Sequence, residues 1–227
     1  MAKTEIKSKP GIKQSGDIKV APLPVRLKPK PKRPPREERA LLLRERILNA
    51  AVEVVGEHGY QNASVGRIAI TADIAQGTIY LYFETRQHLF DELLPHAGQH
   101  MMAYIGERLH GAKTFIEVEE RGIRAFFDYL SEHPGFYRLL NEAEFAAPLG
   151  HRKHFEQLVD HYVASMKRSS QQGRISEFDD DDMRAIAYTM MAARSYFYLG
   201  YVKYGEYQTP PEYVIETYMK LVRTSLE

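Results

Sequence analysis

The sequence predicts an all-α protein of about nine helices, and two observations support that prediction. After residue 36, apolar residues recur at three- and four-residue steps, as at Leu43, Ile47, Ala50 and Val54, which is the spacing of helices that bury one face. No stretch shows the strict alternation of polar and apolar residues that marks a half-buried strand. We therefore expect a three-helix N-terminal domain of the helix-turn-helix kind, followed by a larger C-terminal helical domain.

Charge and proline content divide the chain into three parts. Residues 1–35 hold most of the twelve prolines and the run KPKPKRPP, a composition that cannot bury a core. We predict a disordered, basic, Pro-rich arm at 1–35, a first domain at 36–94 and a second domain at 95–227. Residues 1–36 carry eleven Lys and Arg against two acidic residues, a net charge of +9, so the rest of the chain is net acidic. A basic arm on an acidic body favours a polyanionic partner.

Composition also excludes several kinds of site. The chain has no cysteine, so it forms neither disulfides nor thiolate metal sites. The N-terminus lacks the apolar core of a secretory signal, and we expect a cytoplasmic protein. The longest apolar stretch, 185–202, contains Arg194, which favours a buried helix over a membrane span. His96 and His100 share a helix face, and so do His151, His154 and His161, but neither group has a carboxylate-rich cage. We therefore predict surface histidines, no metal site and no cofactor.

Capping and helix-breaking residues place the helix boundaries. The first helix is expected to end near Gly59, while Ser64 and Thr85 are suited to cap the second and fourth helices. Asp73 tolerates the left-handed turn that joins the second helix to the third. The other predicted spans are 65–71, 75–83, 114–132, a helix that ends near 146, 148–173, 179–204 and 210–226.

Three aromatic residues crowd the end of the third predicted helix. A period of 3.6 residues sets Tyr80 and Phe83 about 60° apart, while Tyr82 points well away from both. One helix face cannot bury all three rings, so we expect at least one tyrosine to stand off the core with its hydroxyl free.

Residues 46–94 read RILNAAVEVVGEHGYQNASVGRIAITADIAQGTIYLYFETRQHLFDELL. This segment resembles the DNA-binding domain of the TetR family of bacterial transcriptional regulators. The shared features are an Ala-rich first helix, a Gly-Tyr turn, a capped second helix with Ile-Ala, and the pattern Gly-Thr-hydrophobic-Tyr-x-Tyr-Phe. The resemblance implies a homodimer that binds operator DNA through the first domain and a small molecule through the second.

The resemblance and the residue chemistry together predict the DNA contacts. Tyr80 and Tyr82 are expected to donate hydroxyls to phosphate oxygens, and Arg86 is expected to grip a phosphate from the start of the next helix. Gln76 can bond adenine in the major groove, and Leu81 can cover a thymine methyl or sugar. The full predicted set is Ser64, Arg67, Gln76, Gly77, Thr78, Tyr80, Leu81, Tyr82, Arg86, Lys32, Arg33 and Arg36.

Alternative interpretations remain open for this set. Gly66 replaces a Lys or Arg that is common in the family, and Arg67 is expected to take over its contact. Tyr80 and Tyr82 could be half-buried core aromatics, and Arg86 could be an idle surface charge. The basic arm could be a solubilising tail rather than a DNA contact.

The second domain is expected to hold a partner surface and a ligand pocket. The last two predicted helices are apolar too far round for an ordinary surface helix, which favours a twofold dimer. The predicted dimer residues are Tyr188, Ala192, Tyr196, Tyr213 and Tyr218. An interior rich in aromatics and Met favours an apolar or aromatic effector, with predicted contacts from Phe126, Phe127, Phe136, Tyr137, Phe155, Tyr162, Met190, Arg194 and Phe197. Arg194 could anchor a carboxylate or phosphate, or pair with an internal acid.

These features predict a ligand-responsive, DNA-binding transcriptional regulator, a dimeric repressor that a hydrophobic or aromatic small molecule releases from its operator. No nucleophile–base pair, phosphate loop or HExxH motif favours an enzyme. The alternatives are an all-helical carrier or enzyme without specific DNA binding, and a non-specific architectural DNA-binding protein.

Overall fold

The computed structural model describes residues 35–169, 175 and 177–226. The predicted disordered arm, with Lys32 and Arg33, lies outside these residues. From Arg36 on, the chain forms one compact unit. The helices are α1 (Arg36–Asn62), α2 (Val65–Thr71), α3 (Gln76–Ile79), α4 (Arg86–Arg108), α5 (Phe115–Glu132), α6 (Gly135–Ala146), α7 (Pro148–Arg168), α8 (Asp180–Phe197) and α9 (Glu212–Leu226), with a π-helical segment at Tyr198–Lys203. The all-α prediction is confirmed, and the described residues contain no strand.

The predicted side-chain caps are present. Ser64 accepts a hydrogen bond from the Arg67 amide at the start of α2, and Thr85 accepts one from the His88 amide at the start of α4. Asp179 and Asp182 form a reciprocal capping box at the start of α8. Each bond satisfies a backbone donor that the first turn of a helix leaves without a partner.

α3 is much shorter than the predicted span of 75–83. After Ile79 the backbone tightens: the Leu81 amide donates to the Thr78 carbonyl at 3.2 Å, and the Tyr82 amide donates to the Ile79 carbonyl at 3.0 Å. These three-residue steps belong to turns rather than to a continuing α-helix. The turn carries Phe83 into the core, where it is fully buried, while Tyr80 stays outside.

Two later helices also end differently from the prediction. α7 ends at Arg168, with Ser169 as its C-cap, rather than near residue 173, which lies outside the described residues. α8 gives way after Phe197 to the π-helical segment, in which the Tyr204 amide donates to the Leu199 carbonyl at 3.0 Å. This five-residue step widens the backbone locally.

Helices α4 to α8 pack around an apolar interior, and α9 lies against α5. Arg124 of α5 forms an ion pair with Glu212 of α9 at 2.6 Å, and Arg223 of α9 forms one with Glu120 of α5 at 2.5 Å. Among the described helices, none combines the length and apolar character needed to cross a bilayer.

Candidate DNA-binding surface and internal cavity

The three crowded aromatics separate into three environments. Tyr80 is 48% exposed, Tyr82 is half-buried against the core, and Phe83 is completely buried. Neither the Tyr80 nor the Tyr82 hydroxyl forms a hydrogen bond with another described residue. Both phenols therefore keep their full capacity to donate to a group outside the chain.

The start of α3 presents a bare, polar edge. Gln76 and Gly77 are exposed, and a Cβ at Gly77 would meet nothing within 4 Å. The Gln76 side chain reaches back toward α2, where its Oε1 lies 3.4 Å from the position that a Cβ on Gly66 would take. Gly66 thus leaves room for the amide that is predicted to read a base. Thr78 is half-buried beside this edge.

Several other predicted contacts lie on exposed positions of these helices. Ser64 and Arg67 at the start of α2 are exposed, and so is Arg36 in the first turn of α1. Leu81 is 81% exposed, and so is Ile70 near the end of α2, which sequence reasoning missed. An apolar side chain this far out on a polar surface has the shape and chemistry to contact a thymine methyl group.

Arg86 has a structural role that sequence reasoning missed. Its Nη2 donates to the Tyr60 carbonyl at 2.8 Å and to the Ala63 carbonyl at 3.1 Å, and its Nε donates to the same Ala63 oxygen at 3.3 Å. The guanidinium also lies 4.5 Å from the ring centroid of Phe90. Arg86 therefore ties the start of α4 to the end of α1, and its Nη1 is left for the phosphate contact that stays a prediction. The sequence did contain a signal for this role. The predicted helix end near Gly59 and Tyr60 leaves backbone carbonyls that need hydrogen-bond donors from elsewhere in the chain.

The end of α1 is also tied to α6. Glu142 Oε2 accepts a hydrogen bond from the Tyr60 amide at 2.8 Å, beside Gly59, whose φ of +77° few other residues adopt. A Cβ on Gly135 would lie 2.8 Å from the Gly56 Cα, so the two helix backbones touch there. The helix-turn-helix unit and the C-terminal helices thus meet without an intervening layer of side chains.

A cavity of about 400 Å³ lies among α4, α5, α6, α7 and α8, within the usual size range of small-molecule sites. Its walls are mostly apolar. Five of the predicted ligand residues line it, namely Phe126, Phe136, Phe155, Tyr162 and Arg194. Sequence reasoning missed the α4 wall, formed by Met101, Met102 and Ile105, and also missed His154 on α7.

Four predicted ligand residues do not line this cavity. Phe127 follows Phe126 by about 100° on α5 and is buried in the core. Tyr137 stacks on Tyr198 at 3.4 Å between ring centroids, on the side of α6 that faces a separate cleft. Met190 and Phe197 likewise lie outside the lining of the cavity.

Arg194 pairs with an internal acid. It is 7% exposed, and its Nη1 and Nη2 lie 2.9 and 3.0 Å from the two carboxylate oxygens of Glu119. The Tyr218 hydroxyl donates to Glu119 Oε1 at 2.5 Å. Burial opposes the charged form of Arg194, but the Glu119 carboxylate outweighs burial and holds the pKa of Arg194 above its ordinary value. The guanidinium is therefore already neutralised, and its predicted use as an anchor for a ligand anion is not what the structure shows.

His154 forms part of the cavity wall and also touches α4. The residue is 2% exposed, and a Cβ on Gly98 of α4 would collide with its ring. The ring packs against Phe136 and Phe155 and makes no hydrogen bond to another described residue. Burial, with a smaller contribution from His151, lowers the pKa of His154 to about 4. The imidazole is therefore neutral at pH 7, with one donor and one acceptor nitrogen.

A family model described as bacterial regulatory proteins of the tetR family matches residues 47–93, the segment that holds α2, α3 and most of α1. Within residues 47–93, the chain matches the TetR family.

Curated relatives of this chain are named as transcriptional regulators rather than enzymes. YvdT of Bacillus subtilis, an uncharacterised HTH-type transcriptional regulator, is 41% identical over 74 residues, covering 33% of this chain and 38% of the relative. The fatty acid metabolism regulator protein of the same species is 47% identical over 47 residues, covering 21% and 24%. The HTH-type transcriptional repressor NicS of Pseudomonas putida is 28% identical over 170 residues, covering 72% and 78%. The matches to the first three curated relatives span about a quarter to a half of those proteins.

Solved structures extend the likeness of the fold to the C-terminal helices. The fatty acid degradation regulator FadR of Bacillus halodurans superposes with a TM-score of 0.63 at 21% identity, covering 79% of this chain and 93% of that one. A TetR-family regulator from Rhodococcus sp. gives a TM-score of 0.68 at 16% identity, covering 82% and 98%. At such identities these likenesses concern the fold alone.

The predicted dimer residues divide into two groups. Tyr188, Ala192 and Tyr196 on α8 are exposed, and so is Tyr213 on α9. Tyr218 is 8% exposed and holds the Glu119 carboxylate, so its assignment to the outer face is wrong. Helical period alone could not separate the two faces of α9, because both carry tyrosines.

Proposed function

We propose that this TetR-family protein is a cytoplasmic, dimeric transcriptional repressor that binds operator DNA and is released from it by a small molecule in the internal cavity. The observation that carries the proposal is the state of Tyr80 and Tyr82. Both rings reach the surface beside the exposed start of α3, and both hydroxyls lack a partner among the described residues. Groups with free donors at this place in a helix-turn-helix unit are suited to hold the phosphate backbone.

In the proposed complex, α3 enters the major groove with Gln76 and Leu81 toward the bases. The segment 37–94 has five basic and nine acidic residues, so the helix-turn-helix unit alone offers little attraction to phosphates. DNA binding requires neutralised phosphates, and we assign the missing charge to the basic residues before α1 together with Arg36, the first residue of α1. Lys32 and Arg33 of the same group lie outside the described residues.

A twofold dimer supplies a second copy of α3 to contact the operator. The tyrosines of α8 and α9 that face outward form an apolar and hydrogen-bonding surface, and Tyr204 and Tyr207 beyond the π-helical segment are exposed as well. An exposed aromatic surface of this kind supports a protein interface. Joining α8 and α9 of two copies gives a four-helix contact with closed symmetry.

α4 links the cavity to the DNA-binding surface. Its first residue, Arg86, bonds to the end of α1, while Met101, Met102 and Ile105 further along the same helix line the cavity. His154 presses on the same helix at Gly98. A ligand that shifts α4 therefore moves the start of that helix, and with it the position of α3 relative to the groove.

The experiment that tests this function is a titration of fluorescent duplexes with the full-length protein. One duplex carries the region upstream of the protein's own gene, and another is a scrambled duplex of equal length. A salt-sensitive preference for the upstream duplex supports the proposal. Equal binding to both duplexes would favour an architectural DNA-binding protein, and the absence of binding at any salt concentration would favour a carrier.

A further inference from the structure

The internal cavity is long rather than round. Its lining residues on α7 run from His154 to Ser169, which at ~1.5 Å per residue is about 22 Å along the helix axis. α4 runs parallel to α7. Asp91 of α4 accepts a hydrogen bond from the Gly150 amide of α7, and further along both helices Gly98 of α4 contacts His154 of α7. One end of the cavity is therefore marked by His154, and the other by the last turns of α4 and α7.

The polar groups midway along the cavity are already paired. Arg194 and Glu119 form a bidentate ion pair, and the Tyr218 hydroxyl completes it. A ligand gains little by contacting this pair, because breaking it would leave a buried charge without a partner.

The end formed by the last turns of α4 and α7 has an excess of positive charge. Among the described residues that line the cavity, the cations are Lys113, Arg168 and Arg194, and Glu119 is the one carboxylate. Since Glu119 neutralises Arg194, two positive charges remain, on Lys113 just before α5 and on Arg168 at the end of α7. Neither side chain forms an ion pair or hydrogen bond with another described residue. Ser165 and Ser169 add hydroxyls at this end.

The opposite end is uncharged. There the walls are Met101, Phe136, Leu140 and Phe155, together with the buried, unpartnered imidazole of His154. A charged group placed among these side chains would lose its hydration without gaining a counter-ion. Only an apolar or neutral hydrogen-bonding group fits this end.

We propose that the cavity binds an elongated amphipathic anion. Its single terminal carboxylate or phosphate lies between Lys113 and Arg168, its apolar body follows the Met and Phe side chains, and its uncharged end reaches His154. The inference rests on the proposed function only in taking this molecule as the effector.

The test compares four straight-chain probes of equal length that differ in the head group: decanoate, decyl phosphate, decanol and decylammonium. Binding to the full-length protein is measured by calorimetry, with each probe below its aggregation concentration. We expect the two anions to bind at least about tenfold more tightly than decanol and decylammonium. A tenfold difference in Kd corresponds to about 1.4 kcal/mol of binding free energy. Comparing decanoate with decyl phosphate shows which anion the two cations prefer.

A charge reversal makes the test specific to the site. In the variant Lys113→Glu/Arg168→Glu we expect the preference to invert toward decylammonium. The matched control is Arg152→Glu/Lys153→Glu, which makes the same change in net charge on exposed α7 positions outside the cavity lining. We expect this control to keep the preference of the wild type. Circular dichroism establishes that both variants are folded.

Three results would overturn the inference: decanol or decylammonium binding as tightly as the anions, no binding of any probe, or the same response in both variants. The operator titration is run on the same wild-type sample. Retained sequence-selective DNA binding without anion preference overturns the inference alone. Anion preference without sequence-selective DNA binding overturns the proposed function and leaves the ligand class standing.

Discussion

The DNA-binding surface and the internal cavity treat their polar side chains in opposite ways. On the surface, the hydroxyls of Tyr80 and Tyr82 have no partner among the described residues. In the interior, Arg194 and Glu119 satisfy each other, with Tyr218 as a third member. The difference teaches that polar groups left open at a surface are available to an outside partner, whereas a strong buried pair holds together the helices around the cavity.

The largest effect is expected from breaking the interior pair. Arg194→Met leaves the Glu119 carboxylate buried without its counter-ion, and we expect a loss of about 3–5 kcal/mol in the free energy of unfolding. Urea denaturation of the full-length protein measures it. The double variant Arg194→Met/Glu119→Gln removes both charges and should lose less than the single variant. If Arg194→Met were as stable as the double variant, the Glu119 carboxylate would not need Arg194 as its counter-ion.

The next effect concerns the unpaired interior group, His154. Its pKa of about 4 in the folded state lies below the ordinary value of 6.5, so the unfolded chain binds more protons between these two values. Stability contributed by the neutral imidazole is therefore complete above pH 6.5 and is lost as the pH falls toward 4, by up to about 3 kcal/mol. Denaturation between pH 7 and 4 should show this slope in the wild type.

His154→Gln should flatten that slope, since glutamine does not titrate. His110→Gln, at an exposed position, serves as the control and should leave the slope unchanged. An identical pH dependence in His154→Gln and the wild type would show that another group governs the acid response.

Arg86 is a predicted phosphate contact that also bonds to the end of α1, so a substitution there tests both roles. Arg86→Lys keeps a positive charge at the start of α4 but loses the fork that bonds the Tyr60 and Ala63 carbonyls together. We expect a loss of about 1–2 kcal/mol in stability, measured by denaturation, and weaker operator binding. Unchanged stability with weaker DNA binding would mean that the phosphate contact, and not the helix tie, is the main role.

The smallest effect is expected at the open hydroxyls. Tyr80→Phe/Tyr82→Phe should leave stability unchanged and weaken operator binding by roughly three- to tenfold, the value of one or two hydrogen bonds. Fluorescence anisotropy with the upstream duplex measures this. Tyr104→Phe removes a hydroxyl that bonds Glu132, away from the proposed DNA and dimer surfaces, and should leave operator binding unchanged. Operator binding that survives the double substitution intact would remove the main support for the proposed DNA contact.

The parts of the fold that depend on local chemistry could be predicted from the sequence. Ser64 and Thr85 cap the helices that were expected, because a side chain needs only the next three residues to make that bond. Helical geometry does not explain why Tyr80 is outside and Phe83 inside, since it sets the two residues about 60° apart; the turn after Ile79 separates them. The early end of α3 could not be predicted in this way. After Ile79 the amides bond to carbonyls three residues back instead of four, and the side-chain pattern does not distinguish these two spacings.

The parts that depend on contacts distant in sequence could not be predicted. Arg194 and Glu119 are 75 residues apart, and nothing in either segment reveals the pairing. Phe126 and Phe127 are both buried aromatics of α5, but only the first lines the cavity. Choosing between them requires the packing of α5 against four other helices. The prediction of a surface position for His154 is wrong, because the residue is 2% exposed and its burial depends on the packing of α7 against α4 and α6, which periodicity does not reveal.

The close approach of Gly56 and Gly135 has a practical consequence for engineering. Side chains at most helix contacts can rotate and absorb a small displacement, but two touching backbones cannot. Movement of α6 should therefore reach α1 with little damping. A single methyl group introduced at this contact would act as a wedge between α1 and α6, and it would alter the joint between these helices without changing any side chain of the cavity or of α3.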